Sequence, residues 1–209
     1  MNKSFILKIA LWGTVFSQRS ISPCFSNVNY PVEKKIIVQI FDEHGKLTAA
    51  RMRITAHDSV YYAPEGHSVD FPITEETGDF GKGGDVILDN DRRFAYIDGT
   101  CKIDLPETDS VRFEVVKGFA YRFIDSTITI SSQMDTVVLG LRKWFEFPEG
   151  NKWYSGDVHT HYIDSATALL QMKAEDLNVC NILISDFTDD QRSFRVAPEP
   201  ISDSLHIAY

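Results

Sequence analysis

Apolar and polar residues alternate in short runs between Pro31 and Trp144, and turn residues separate the runs about every eight to twelve positions. A period of two is typical of strands that bury one face. No amphipathic helix pattern interrupts these runs. The pattern predicts an antiparallel β-sandwich of the immunoglobulin-like class over residues 31–145. The strand-like runs lie at 33–47, 51–57, 60–63, 94–106, 111–123, 126–131 and 136–145.

Three turn signals lie inside these runs. The first run turns at His44-Gly45, and the run at 111–123 bends at Gly118. Asp98-Gly99 separates two strand-like halves of the run at 94–106. An Asp-Gly pair between two alternating runs is a strong hairpin signal, so a β-hairpin is predicted there.

Residues 63–93 form a long segment rich in glycine, proline and acidic residues. This length is unusual for a loop in a sandwich, and it indicates either a functional loop or a mobile insertion. His57 and His67 lie near this segment. An isolated histidine is more typical of a turn or of the surface than of a metal site.

The pattern changes after a linker at 146–152, where Pro148 and Gly150 break the regular alternation. A short strand over 153–159, a helix over 165–178 that begins at the N-cap Ser165, and a continuous apolar run over 179–185 predict one βαβ unit. In such units, ligands bind at the carboxyl ends of the strands. Those ends hold His159, His161 and Asp186. The apolar residues at helical spacing are Ala166, Leu169, Leu170, Ala174 and Leu177.

The composition is that of an ordinary globular protein, with 43% hydrophobic and 24% charged residues among 209. The net charge is -9 and Lys and Arg are not clustered, so nucleic acid is not an expected partner. The cysteines are Cys24, Cys101 and Cys180, without a Cys-x-x-Cys pair. This spacing argues against a cysteine zinc site or a redox motif.

Residues 1–26 have the order of a secretory signal peptide. Lys3 and Lys8 give a positive start, an apolar run follows from Ile9 to Phe16, and small and polar residues come next. Cleavage after Ser26 would export the protein to the periplasm or the outside of the cell. An apolar N-terminal strand or a tethered helix is the alternative. No other apolar run is long enough for a membrane span.

Residues 157–161 read Asp-Val-His-Thr-His. Side chains two apart on a strand point to the same face, so His159 and His161 can chelate one cation together. Imidazole suits Zn, Fe and similar ions. Asp157 is placed to orient one of the histidines through its other ring nitrogen. Two polar side chains in a surface loop are the alternative.

The stretch Gly-Asp-Val-His-Thr-His at 156–161 resembles the first motif of the polymerase and histidinol phosphatase (PHP) superfamily of metal-dependent hydrolases. A sandwich that ends in GLRKW, followed by WYSGDVHTH and AEDLNVCNIL, resembles the CehA/McbA-type metallohydrolases of that superfamily. In those proteins a sandwich similar to a carboxypeptidase regulatory domain precedes the barrel. The resemblance covers most of residues 31–186.

The resemblance implies an α/β barrel with divalent metal ions (Zn, Mn or Fe) that activate water to hydrolyse a phosphoester, ester, amide or carbamate of a small molecule. His159 and His161 would be the first two metal ligands, and Asp157 their supporting carboxylate. Glu175 and Asp186 are further candidates near the site. For Glu175, an exposed helix position is the favoured alternative. Asp186 stands in Ser-Asp-Phe, where the superfamily has Thr-Asp-His.

Residues 153–209 are all that remains for the barrel, whereas a complete β/α barrel needs roughly 200 residues or more. We therefore expect a sandwich followed by the first βαβ unit of a truncated PHP-type barrel, inactive by itself. The second interpretation is a non-catalytic sandwich that binds or packs against a partner. In that case, aromatic residues would line its binding face, although they are more typical of cores and cross-strand pairs. These are Tyr61, Tyr62, Phe94 and Tyr96.

Overall fold

Short strands with alternating buried and exposed side chains build a β-sandwich in the first part of the chain. A computed structural model describes residues 32–56, 59–67, 85–88, 92–107, 110–146, 153–160, 165–182, 186–188, 191–193, 201–202 and 207–208. The sandwich strands are β1 (Glu33–Phe41), β2 (Ala49–Ala56), β3 (Val60–Tyr61), β4 (Val86–Leu88), β5 (Arg92–Asp98), β6 (Thr100–Pro106), β7 (Ser110–Val116), β8 (Ile124–Thr129) and β9 (Thr136–Gly140). The predicted signal peptide, most of the linker, His57 and most of the 63–93 segment lie outside the described residues.

Two sheets form the sandwich. The first has the strand order β6-β1-β9, and the second has the order β4-β5-β2-β7-β8 with β3 paired to β2. Strand β1 runs antiparallel to β6 but parallel to β9. The prediction of a β-sandwich is confirmed, while the prediction of a wholly antiparallel arrangement is wrong at this one pair. Strand pairing between the two ends of a domain leaves no local sequence signal.

The core lies between the two sheets, because every second side chain of the central strands points inward. Ile36, Val38 and Ile40 of β1 are completely buried, as are Phe113 and Val115 of β7. Burial of one such side chain contributes roughly 1.5–3 kcal/mol. The same core holds Ala50, Met52, Ile54, Ala56, Ala95, Ile97, Ile103, Leu105, Val111, Ile130, Val137, Leu139 and Leu141.

Asp98-Gly99 is a crossing between the sheets. Strand β5 pairs with β2 and β4, whereas β6 pairs with β1. Gly99 has a φ of 77°, which glycine adopts without strain. Its carbonyl accepts a hydrogen bond of 2.8 Å from the Ile40 amide. The hairpin prediction is therefore wrong: the Asp-Gly signal marks a bend, but it does not determine which sheet the next strand enters.

The substitution Gly99→Ala is expected to lower the free energy of unfolding by roughly 1–3 kcal/mol. A Cβ atom at this position would lie 3.0 Å from the Cβ of Leu47 and 3.1 Å from the amide nitrogen of Thr48. Gly66 is the matched control, because its φ is also positive, at 83°, and nothing lies within 4 Å of its added Cβ. Urea titration measures both variants. If both variants lost the same unfolding free energy, the close contacts of Gly99 with Leu47 and Thr48 would not be the cause of its effect.

Strand β5 is buried on both faces. Ala95 and Ile97 point into the sandwich core, while Phe94 and Tyr96 are buried on the opposite face. Sandwich strands usually leave one face in water. The continuous apolar run Phe-Ala-Tyr-Ile is the sequence signal that something covers the outer face of this strand.

The last part of the described chain contains a strand–helix–strand unit and several short strands. Residues Pro31–Tyr209 form one compact unit. Strands β10 and β11 are parallel neighbours with the helix α1 between them in sequence, which confirms the predicted βαβ connection. Their sheet has the order β10-β11-β15-β14. The elements are β10 (Gly156–Thr160), α1 (Ser165–Ala174), β11 (Val179–Ile182), β12 (Asp186–Thr188), β13 (Gln191–Ser193), β14 (Ile201–Ser202) and β15 (Ile207–Ala208).

Helix α1 is packed between its own sheet and the sandwich. Ala168 and Met172 pack with Cys180 and Ile182 of β11. Ala174 packs on the other side against Ala49 and Tyr96 of the sandwich, with Leu170 and Val86 beside them. Of the apolar residues predicted at helical spacing, Ala166 is exposed, while Ala174 and Leu170 face the sandwich. A helix between two sheets needs small residues on two faces, not one wide stripe.

The end of α1 forms a Schellman cap. The amide of Leu177 donates to the carbonyl of Met172 at 2.9 Å, and Asp176 has a φ of 56°. Gly118 of the sandwich lies directly against this cap. An added Cβ on Gly118 would lie 2.6 Å from the Cβ of Asp176 and 2.7 Å from the carbonyl oxygen of Glu175. Only glycine allows this approach of the two backbones.

Lys117 ties the same helix end to the sandwich. Its side chain is buried, and its Nζ donates to the carbonyl of Ala49 at 3.1 Å and to the carbonyl of Lys173. Burial lowers the pKa of this ammonium, while nearby carboxylates oppose the shift. A cation at the last carbonyls of a helix is favourable because those carbonyls have no partner within the helix.

Candidate metal corner at the end of β10

The predicted histidine pair begins at the carboxyl end of β10. His159 is the penultimate residue of this strand, and β10 runs parallel to β11. His161 follows directly after β10 and lies outside the described residues. The geometry thus places His159 at the strand end where βαβ units bind ligands.

A β-bulge shapes the strand at this point. Asp157 pairs with Cys180 and Thr160 pairs with Ile182, so three steps along β10 match two steps along β11. The Asp157 carboxylate accepts a hydrogen bond of 2.9 Å from the backbone amide of His159. Bulges often redirect side chains beside active sites. The described contact of Asp157 is thus with the backbone of His159, where the sequence predicted a contact with an imidazole ring.

The corner faces the outside of the described unit. Strand β10 is the edge of its sheet, and residues 156–159 are all exposed. Thr160 turns inward and its Oγ1 lies 3.2 Å from the Sγ of Cys180. Burial raises the pKa of the Cys180 thiol. Cys180 is therefore a packing residue behind residues 156–159. The metal donor that these residues expose is the imidazole of His159.

Glu175 belongs to a different place in the structure. Its Oε1 lies 2.8 Å from the Nη1 of Arg51 and accepts a hydrogen bond of 3.0 Å from the Tyr96 hydroxyl. Both partners come from the sandwich. Helix α1 runs back from the carboxyl end of β10 to the amino end of β11, so Glu175 lies at the end opposite His159. We assign Glu175 to the contact between helix and sandwich, and not to the metal corner.

Tyr96 is the centre of this contact. Burial raises the pKa of its phenol, and the adjacent Glu175 carboxylate adds to the shift. The backbone amide of Tyr96 also donates to the Asp85 carboxylate at 3.3 Å, and Asp85 lies 2.7 Å from the Nδ1 of His67. His67 thus pairs with a buried carboxylate beside the sandwich. The prediction that it is a turn residue agrees with its position at 65–67, in a turn.

Asp186 opens a separate pair of strands. It is the first residue of β12, which pairs antiparallel with β13 in a two-stranded sheet of its own. Strand β11 covers Val179–Ile182 of the strand predicted over 179–185, and residues 183–185 lie outside the described part of the chain. The side chain of Asp186 is also outside it. The described backbone places Asp186 at the start of β12, and its location at the carboxyl end of the preceding strand stays a prediction.

Within the described residues, no group of three or more histidine, cysteine, aspartate or glutamate side chains lies together so that it could hold a metal ion. His159 supplies one imidazole, which is a donor that Zn, Mn and Fe accept. The chemistry of this donor fits such a metal, and a complete set of ligands needs residues beyond those described.

Comparisons of the chain with protein-family models, with curated proteins and with solved structures found no match. Any functional assignment therefore rests on the residues of this chain. In the described part, no helix is both long and apolar enough to cross a membrane.

A cluster of arginines on the second sheet was not predicted. Arg51 and Arg53 of β2, Arg92 of β5 and Arg112 of β7 surround the buried carboxylate of Glu114. The sequence signal is modest: charged residues stand at alternate positions in Arg-Met-Arg at 51–53 and in Arg-Phe-Glu at 112–114. Such alternation predicts an outward face on each strand, but only the pairing of the strands brings the faces together.

Proposed function

We propose that the chain is the N-terminal part of a PHP-type metal-dependent hydrolase of the CehA/McbA kind. The observation that carries the proposal is the position of His159. It is the penultimate residue of the first strand of a parallel βαβ unit, inside the stretch Gly-Asp-Val-His-Thr-His, and a β-sandwich precedes that unit. The order of sandwich, histidine strand and helix agrees with the resemblance.

In this proposal, His159 and His161 hold a divalent ion through their ring nitrogens. Asp157 fixes the backbone at His159 through its hydrogen bond to the amide, so it sets the direction of the imidazole. A bound divalent ion supplies a Lewis acid and an activated water near neutral pH. The substrate is a small molecule with a phosphoester, ester, amide or carbamate bond. Export through the N-terminal segment is part of the proposal.

The sandwich acts as a support for the βαβ unit. Its contacts reach the end of α1 through Arg51, Tyr96, Lys117 and Gly118. These contacts also support the second interpretation, a non-catalytic packing module. Metal binding distinguishes the two interpretations, because only the hydrolase requires it.

The metal-binding proposal predicts that the purified chain, loaded with Zn²⁺ and then dialysed, retains about one ion. His159→Ala and His161→Ala are expected to lower this retention at least tenfold, because each removes an imidazole donor. His44→Ala is the control, since His44 lies in the turn after β1 with a side chain that is 72% exposed. Elemental analysis measures the bound metal. Equal retention in all variants would favour the packing module.

We also expect the chain to lack steady hydrolytic activity even when it is loaded with metal. A hydrolytic site needs about three protein ligands and an open position for water, and the proposed corner supplies His159 and His161. p-Nitrophenyl phosphate and p-nitrophenyl acetate are suitable substrates. Steady turnover that His159→Ala abolishes would contradict the prediction.

A further inference from the structure

We propose that the outer face of the second sheet carries a binding site for an oxyanion, a phosphate, sulfate or carboxylate group attached to an apolar body. The site is a cleft of about 540 Å³, which is a usual size for a small-molecule pocket. It is separate from the metal corner and goes beyond the proposed hydrolase function. Its polar lining is formed by Arg51, Arg53, Arg92, Arg112 and Glu114, and its apolar lining by Leu88, Phe94, Val116 and Phe123.

Strand register brings the arginines together. Arg53 lies opposite Glu114 in the pairing of β2 with β7, and Arg112 lies two pairs further along, opposite Thr55. Arg92 reaches the same place from β5 and contacts Glu114. Arg53 and Arg112 each stand between two core residues of their strand, and Arg92 lies on the same face of β5 as Phe94, so all three point away from the core.

Glu114 holds the guanidinium groups in place. Only 2% of its side chain is exposed, and its oxygens lie 2.5 Å from Arg53 and 2.6 Å from Arg92, with Arg112 at 3.7 Å. A buried carboxylate with several arginines fixes their rotamers before a ligand arrives. Preorganised donors bind more tightly because less conformational entropy is lost on binding.

Among the described residues, the carboxylates at the cleft do not balance the arginines. Arg112 makes a bidentate contact with Asp125 at 2.7 and 2.8 Å, and Arg51 is paired with Glu175. Four guanidinium groups thus meet three described carboxylates, those of Glu114, Asp125 and Glu175, which leaves one positive charge in excess in this part of the structure. This local excess stands out in a chain with a net charge of -9.

The accessible arginines of the cleft are Arg92 and Arg112, whose side chains are 42% and 48% exposed. The Nε atoms of Arg51 and Arg53 are buried and have no hydrogen-bond partner in the described part of the chain, but they lie beneath the surface and out of reach of a ligand. An oxyanion in the cleft would therefore meet Arg92 and Arg112, because guanidinium groups bind such anions in a bidentate geometry.

The apolar wall defines the rest of the ligand. The guanidinium carbons of Arg51 and Arg92 lie 5.5 and 5.3 Å from the ring centre of Phe94. Phe123 is 50% exposed and Leu88 is 37% exposed at the mouth of the cleft. An anion with an aromatic or aliphatic body would cover these side chains while its charged end meets the arginines.

Calorimetric titration of the full chain with phenyl phosphate and with benzoate, in buffer with EDTA, tests the site. Saturable binding of at least one probe is expected. The probe that binds with the lower Kd shows whether the site prefers a phosphate or a carboxylate. Arg92→Gln and Arg112→Gln are each expected to weaken binding about tenfold, the loss of one charged hydrogen bond. Their side chains are 42% and 48% exposed, so both variants should fold.

Arg142→Gln is the matched control, since Arg142 is exposed and lies at a different pocket of the sandwich. It is expected to bind like the unaltered chain, as is His159→Ala, which separates this site from the metal corner. The proposal fails if neither probe saturates below roughly 10 mM, a binding free energy of about -3 kcal/mol. It also fails if Arg142→Gln weakens binding as much as the cleft variants do.

Discussion

The substitution Glu114→Ala is expected to lower the free energy of unfolding by about 3–5 kcal/mol. The Glu114 side chain is 2% exposed and contacts both Arg53 and Arg92. Its removal leaves Arg53, whose side chain is only 13% exposed, as a buried charge without its carboxylate. Urea titration followed by tryptophan fluorescence measures the change.

Asp125→Ala is the matched control for Glu114. Asp125 also pairs with an arginine, Arg112, but both side chains are more than two-fifths exposed. Water replaces an exposed partner at little cost, so the unfolding midpoint of Asp125→Ala should stay close to that of the unaltered protein. If the two variants lost the same stability, burial of the Glu114 pair would not be the source of its effect.

Gly118→Ala should cost about 2–4 kcal/mol of unfolding free energy. The new Cβ would overlap the backbone of Glu175 and the Cβ of Asp176, at 2.7 and 2.6 Å, and the φ of 44° already disfavours an alanine. Because the clash lies between sandwich and helix, the amides of α1 should also exchange with solvent faster. Hydrogen exchange and urea titration measure the two effects.

Gly45→Ala is the control for Gly118→Ala, because it introduces the same kind of backbone strain without the steric clash. Gly45 has a φ of 75°, and nothing lies within 4 Å of its added Cβ. Its variant is expected to lose only about 1 kcal/mol, with unchanged exchange in α1. Normal stability and exchange in Gly118→Ala would show that the helix end does not depend on this close approach.

The strands of the sandwich could be predicted because the alternation of apolar and polar residues in each one shows which side chains are buried. The alternation of Ile36, Val38 and Ile40 predicts the inward face of β1 from that strand alone. Which strand it pairs with, and in which sheet, cannot be predicted from such a local pattern. Asp98-Gly99 therefore predicted a hairpin, whereas β6 pairs with β1 in the other sheet and the Gly99 carbonyl accepts a hydrogen bond from Ile40.

The candidate site was predictable to the same extent. The position of His159 at a strand end follows from the local strand–helix–strand pattern. The partners of Glu175 do not, because Tyr96 lies 79 residues away in sequence. The arginine cleft is similarly non-local: Arg53 and Glu114 are 61 positions apart and meet only through strand pairing.

The most direct test of the metal-binding proposal is X-ray absorption at the zinc edge of the Zn²⁺-loaded chain. Two imidazole ligands are expected in the unaltered protein and in His44→Ala, and one in His159→Ala or His161→Ala. A zinc environment without imidazole, or one that keeps both imidazoles after His159 is replaced, would contradict the proposal.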